Sequence, residues 1–293
     1  MGKEGVFSHP PSPFYDTKWL SLSGTNKTGV MENSCTHTIY FSAAGTTRKI
    51  ADAVAQGIAR RDIQRTDLLL HPQTAPLTLT PDDIAIFAMP VYAGRIPTVA
   101  VDSLRQIRGA NTPAIIVCVY GNRHYDDALL ELRDVVEEQG FSVVSAGLFI
   151  AQHSIFPQVA AGRPDDNDLA EARQLGSQSR EWLATHPDWA TAPRIEVPGH
   201  YPYRPTMNPP LKPKTSRQCN RCGICTAQCP VGAIDKNDPR RIDKERCLSC
   251  AHCIAVCPRH AKHFGGLIYR LAARQFFKKF SAPQKNCCIF RTA

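Results

Sequence analysis

Eight of the twelve cysteines stand in a repeat. Cys219-x2-Cys222-x2-Cys225-x3-Cys229-Pro230 recurs as Cys247-x2-Cys250-x2-Cys253-x3-Cys257-Pro258 at one constant offset, and Ala227/Ala255 and Ala233/Ala261 match at the same offset. A tight loop with this spacing turns three thiolates toward one centre, and the turn of helix after it carries the fourth away. Structural zinc sites instead pair two knuckles of two ligands each, not four thiols within eleven residues followed by proline. The spacing therefore points to iron–sulfur cubes, whose use is to pass single electrons. No secretory h-region opens the chain, so a cytoplasmic location is expected, where thiols hold metal rather than form disulfides.

A second candidate site is Ser42-Ala43-Ala44-Gly45-Thr46-Thr47, between the strand-like Thr38–Phe41 and a helix. A strand, a short Gly/hydroxyl loop and a helix N-terminus make an anion site, because backbone N–H groups and the helix dipole point at one phosphate. The absence of Gly-x-Gly-x-x-Gly and of Gly-Lys-Ser/Thr disfavours dinucleotide and Walker-type sites. Two further loops, Pro90-Val91-Tyr92-Ala93-Gly94-Arg95 and Tyr120-Gly121-Asn122-Arg123-His124-Tyr125, follow apolar strands. They combine Gly, which permits close backbone approach, with Tyr, which stacks on a planar ring. Contact with such a ring is expected for Tyr92, Tyr125 and the Gly121/Asn122 backbone. A positive charge from Arg95 or Arg123 would stabilise a reduced, anionic ring. His153-Ser154 lacks a Gly-x-Ser-x-Gly elbow and reads as a packed loop rather than a nucleophile pair, so no catalytic residue is assigned.

The elements that must position these loops alternate. Strands are expected at 38–41, 67–70, 84–89, 115–120 and 142–149. A helix follows the first strand, with Ile50, Ala53, Val54, Gly57 and Ile58 at i, i+3, i+4, i+7, i+8; others fit 98–107, 126–139 and 168–183. Alternating βα units predict a five-stranded parallel sheet covered on both faces. Eight prolines between 186 and 216 read as an extended connector, anchored by Trp189. The expected organisation is a disordered arm at 1–34 with Met31 as an alternative start, an α/β domain at 35–185, a linker at 186–216, a cysteine domain at 217–265, and a basic helix and tail at 266–293.

The cysteine segment closely resembles the bacterial two-cluster ferredoxins. The resemblance implies one 4Fe–4S cluster on Cys219, Cys222, Cys225 and Cys257, and another on Cys247, Cys250, Cys253 and Cys229, the fourth cysteine of each run serving the other cluster. The α/β region resembles the flavodoxin-like FMN-binding family, with its phosphate loop at Ser42–Thr47 and Ala44 in place of the usual Thr. That resemblance implies a doubly wound sheet of order 2-1-3-4-5 and an FMN held by residues 42–47, 90–95 and 120–123 with Tyr125. As a whole the chain resembles the flavodoxin–ferredoxin fusion proteins. These imply an electron-transfer oxidoreductase with FMN, two 4Fe–4S clusters and soluble redox partner proteins. The alternatives are an FMN-dependent reductase of a small acceptor, such as a quinone or nitro compound, and a non-catalytic iron–sulfur sensor. A flavin face open beside Tyr92 would favour the reductase; one covered by the cluster domain would favour internal transfer.

Charge and composition bound the rest. The chain has 293 residues, 43% hydrophobic, with net charge +9; residues 212–293 carry 17 Lys/Arg against 4 Asp/Glu, and the remainder is net negative. The basic segment partly offsets the negative charge of thiolate-bound clusters, and no groove-reading motif argues for nucleic acid. The longest apolar run, 114–120, is far too short to span a membrane. Residues 267–280 read as a basic amphipathic helix, expected to dock on the chain's own domains in preference to a membrane surface. Of the other cysteines, Cys118 reads as a core residue, and Cys287-Cys288 lacks a prenylation box.

Overall fold

The computed structural model describes residues 35–59, 62–282, 284 and 286–290; the expected arm at 1–34 lies outside them. The elements in chain order are β1 (Thr36–Tyr40), α1 (Thr46–Ile58), β2 (Ile63–Asp67), β3 (Leu77–Leu79), β4 (Ile84–Pro90), α2 (Thr98–Leu104), β5 (Ile107–Gly109), β6 (Thr112–Tyr120), α3 (Ala128–Glu138), β7 (Phe141–Ile150) and α4 (Asp166–Thr185). They continue as β8 (Lys214–Thr215), α5 (Ile224–Ala227), α6 (His252–Ala255), β9 (Lys262–His263), α7 (Leu267–Phe280) and β10 (Cys287–Phe290).

The main sheet runs β10-β7-β6-β4-β1-β2. Its five parallel strands have the order 2-1-3-4-5 when numbered among themselves, the doubly wound arrangement of a flavodoxin-like fold. β4, β6 and β7 are buried along their whole length, as strands covered on both faces must be. On one face α1 and α4 pack over Ile84, Ile86, Ile115, Val117 and Val144; on the other α2 and α3 cover Ile39, Phe87, Ile116 and Cys118. Two glycines let α1 and α4 touch at the backbone. A Cβ on Gly57 would lie 1.9 Å from the Arg173 carbonyl oxygen, and one on Gly176 would lie 2.1 Å from that of Val54. Helix α4 starts in a reciprocal cap, with Asp165 accepting from Asn167 N and Asp168 N while Asp168 accepts from Asp165 N.

Three features depart from expectation. The second strand is Ile63–Asp67, not 67–70: Gln64 and Arg65 suit an exposed edge, while Leu68 and Leu69 turn inward below it. The sheet has a sixth strand, because β10 returns from the chain's end and pairs antiparallel with β7, Cys287 opposite Leu148 and Phe290 opposite Ser145. The proline-rich segment contains no helix or strand between 186 and 213, yet it is tied down along its length. Arg133 Nη1 donates to Ile195 O, both Tyr201 and Tyr203 donate to Asp134, and Asp127 accepts from His200 N and Arg204 N.

In the cysteine segment the sequence repeat is also a repeat of backbone conformation. Arg221 and Ser249, Gly223 and Ala251, and Gly232 and His260 all take positive φ, and each pair is separated by the offset that relates Cys219 to Cys247. The turns this creates put Ala233 N 3.3 Å from Cys229 Sγ and Ala261 N 3.2 Å from Cys257 Sγ. β8 and β9 close the segment as a two-stranded ladder.

Candidate redox site

The thiols fall into two groups. Cys219, Cys222, Cys225 and Cys257 line one small cavity, and Cys229, Cys247, Cys250 and Cys253 line another. These are the groups that the ferredoxin resemblance implies, with the fourth cysteine of each run crossed over. Among the described residues no three His, Cys, Asp or Glu side chains converge on one point as a single ion would need. The four thiols of each group line a small void, an arrangement compatible with a cluster. Burial pushes the Cys250 and Cys253 thiols up to about 12. Ligation must therefore displace their protons. Between the groups Lys262 is buried, its Nζ donating to Pro239 O at 2.6 Å and Thr215 Oγ1 at 2.8 Å. Sequence reading passes over this lysine; its position shortly after Cys257 is the available signal.

A cavity of about 310 Å³ opens at the carboxyl ends of the parallel strands. Of the residues expected around a flavin, Ala43, Ala44, Thr46, Thr47, Pro90, Val91, Tyr92, Ala93, Gly94, Tyr120, Gly121 and Arg123 line it. The loop expected to hold a phosphate is shaped by Gly45, whose φ of 83° starts α1, and by Ser42, whose Oγ accepts from Arg48 N at 3.1 Å. Tyr92 and Arg95 close a two-residue turn by paired backbone hydrogen bonds, with Ala93 and Gly94 both at positive φ as a type I′ turn requires. Burial, and then proximity to Cys250, holds the Tyr92 hydroxyl well above its ordinary pKa.

Other expected contacts face elsewhere. Arg95 forms a two-pronged ion pair with Glu131, at 2.8 and 2.6 Å, and lies over the Tyr203 ring. Its charge serves to pin the connector to α3. The Asn122 side chain donates to Phe280 O and Ala282 O and accepts from Gln284 N, clamping the returning chain end. Tyr125 packs edge-on against Tyr120, outside the cavity lining. Arg123 faces Asp126 as well as the cavity.

The remaining walls are not legible from motifs. Met207, Pro209 and Pro210 come from the connector, His153 to Phe156 from the loop after β7, Phe276 from α7, and Leu248 to Cys250 from the second cysteine loop. His153 Nδ1 accepts from Ile155 N and Phe156 N, and burial lowers its pKa to about 4. Leu248 and Cys250 line both this cavity and that of the second thiol group, so the two sites share a wall. Beside that wall His252, 7% exposed, donates from Nδ1 to Ala43 O at 2.8 Å and meets Gln228 Oε1 through Nε2 at 3.1 Å. One imidazole thus joins the loop after β1 to the residue preceding Cys229.

Comparison with known proteins agrees with this division. Residues 218–261 match the 4Fe-4S dicluster domain family. Over 53 residues the chain is 43% identical to the iron-sulfur cluster-binding subunit of menaquinone reductase from Nitratidesulfovibrio vulgaris, covering 16% of this chain and 21% of that protein. Over 49 residues it is 39% identical to the thiosulfate reductase electron transfer subunit of Salmonella typhi, covering 15% and 26%. The chain therefore spans about a fifth to a quarter of the length of these relatives. Flavodoxin 1 from Bacillus cereus superposes on 50% of this chain and 97% of its own at 18% identity, with a TM-score of 0.37. The strand order carries the fold assignment. The chain has two parts: a flavodoxin-like α/β fold comes first, and a 4Fe–4S dicluster ferredoxin domain follows it. Among the described residues, no helix is long and apolar enough to cross a membrane.

Proposed function

We propose that this chain is an electron-transfer oxidoreductase that relays electrons between two 4Fe–4S clusters and a flavin mononucleotide in the strand-end cavity. Clusters pass one electron at a time and a flavin one or two, so their pairing joins single-electron supply to two-electron chemistry. The observation that carries the reading is the shared wall of Leu248 and Cys250. Tyr92, half-buried near Cys250, and Tyr120 suit a planar ring, while Thr46, Thr47 and the N-terminus of α1 suit a phosphate. Cys219, Cys222, Cys225 and Cys257 would hold the outer cluster and Cys229, Cys247, Cys250 and Cys253 the inner one.

The outer group has an exposed ligand, Cys222, beside Ile224 at 37% exposure, which suits exchange with a soluble partner. The inner group adjoins the cavity through Leu248 and Cys250, and that adjacency favours internal transfer over direct reduction of a small acceptor. The matched relatives are iron–sulfur and electron-transfer subunits of reductases, and that role is the one carried here. Anaerobic purification with iron, sulfide and flavin quantified together tests the reading: about eight irons and one flavin per chain are expected. Zinc in place of iron, or an apoprotein that ignores added flavin mononucleotide, would overturn it.

A further inference from the structure

Helix α7 has two unlike faces. The inner one, with Tyr269, Ala272, Ala273, Phe276 and Phe280, packs on Ile155, Phe156 and Val159, as expected for docking on the chain's own domains. The outer one is uncovered: Leu267 is 65% exposed, Ile268 78%, Leu271 53% and Phe277 46%. Arg270, Arg274, Lys278 and Lys279 are exposed among them, and the helix has no acidic residue. From Arg246 to the end the sequence has nine Lys/Arg and no Asp or Glu.

We propose that this outer face is an interfacial anchor for an anionic lipid bilayer. Leu267, Ile268 and Leu271 enter the headgroup–acyl boundary, and Arg270, Arg274 and Lys278 pair with lipid phosphates. At 3.6 residues per turn, Leu267, Leu271, Arg274 and Lys278 form one stripe, so the surface is a convex ridge, which a bilayer accepts by shallow insertion. A second copy is a poor occupant, because a two-fold contact would set this basic stripe against itself. The same helix contributes Phe276 to the cavity wall from its inner face, which leaves the cavity about one helix diameter, ~10 Å, from the lipid. The inference holds whether or not the cavity takes a flavin.

Sedimentation of the full holoprotein with vesicles tests it. Binding is expected to vesicles of equal phosphatidylcholine and phosphatidylglycerol and not to phosphatidylcholine alone, and is expected to weaken at high salt. Combining R270Q, R274Q and K278Q is expected to weaken binding on the order of a hundredfold, at roughly a factor of five for each charge near the surface. Combining L267S, I268S and L271S is expected to weaken it at least roughly tenfold, since the apolar contact is lost. All six side chains are solvent-facing, so iron content and the circular dichroism spectrum serve as checks that each variant is folded. Three results would each overturn the proposal: equal binding to both vesicles; no binding to either, which leaves the face to an acidic protein; or full binding by the serine variant.

Discussion

β4, β6 and β7 carry uninterrupted runs of buried side chains between helices, whereas the dicluster segment is built from four-residue helices and two-residue strands. Among the described residues from 217 to 265, Ile234 is the only buried large aliphatic side chain; small alanines, Cys225 and polar groups make up most of the rest. The first region therefore offsets its chain entropy by apolar burial, and the second must do so by metal–thiolate bonds. One chain thus contains two parts that should fail for different reasons, even though they share the wall at Leu248 and Cys250.

Removing the iron is the strongest way to break the comparison. Ligation of a structural metal contributes on the order of 10 kcal/mol to a small domain, so the apoprotein should lose amide protection across 218–266 while Ile116 and Val117 keep theirs. Hydrogen exchange measured before and after anaerobic chelation checks this; retained protection at Ala233 and Ala261 would mean that the segment has an adequate core after all. The converse change is Phe87→Ala. Phe87 is 1% exposed and meets Phe141 edge-on at 4.9 Å, so truncation should cost about 3–5 kcal/mol. A lowered denaturation midpoint with unchanged iron per folded chain is expected; iron loss at this position would show that the two regions fold as one.

A third effect lies where the chain's end rejoins the sheet. Asp168 is buried, which by itself raises its pKa, but Arg163, Asn286 and the Asp165 N–H outweigh burial and hold the carboxyl below its ordinary range. A folded-state value depressed in this way stabilises the fold above the unfolded value of about 3.9, and that stabilisation is lost as pH falls through the folded value. Stability should decline below about pH 4. Asp168→Asn should cost about 2 kcal/mol at neutral pH and flatten the acid limb. Urea midpoints across pH measure both; an unchanged acid limb would assign it to other carboxylates.

How far the sequence can be read follows the same division. The thiol-bearing turns are legible because each run is local and repeated; which fourth cysteine joins which group is not local, and the sequence yields it only through the ferredoxin resemblance. The central strands are legible from continuous apolar runs such as 84–89. The edge strand is misplaced because Leu68-Leu69-Leu70 is more apolar than Ile63–Asp67; an edge needs little burial and the turn below it needs more. β10 escapes notice because Cys287–Phe290 has no periodicity to distinguish it, and α4, the connector and the whole cysteine domain separate it in sequence from its partner β7. Arg95 is expected at the cavity because loop position is visible in a sequence and side-chain direction is not; Asn122 is expected there through its backbone alone, which leaves its side chain unassigned. Their true partners, Glu131 and the segment after α7, are set by tertiary packing.

The smallest effect separates the two cysteine loops from each other. His252 occupies in the second repeat the position that Ile224 occupies in the first, each following by two the second cysteine of its run. Ile224 is 37% exposed, whereas His252 is 7% exposed and bonded to Ala43 O and Gln228. The repeat is therefore asymmetric at a position where the inner loop bonds to the loop after β1. His252→Ile makes the inner loop resemble the outer one and removes both hydrogen bonds, which should cost about 1 kcal/mol in flavin mononucleotide binding, or roughly fivefold in Kd. Iron content should not change, since no ligand is touched. Fluorescence titration of flavin into the cluster-loaded chain measures the affinity, and His252→Asn, which keeps an N–H donor, should recover part of it. An unaltered affinity accompanied by iron loss would assign His252 to the inner cluster alone and leave the phosphate loop to hold its own shape.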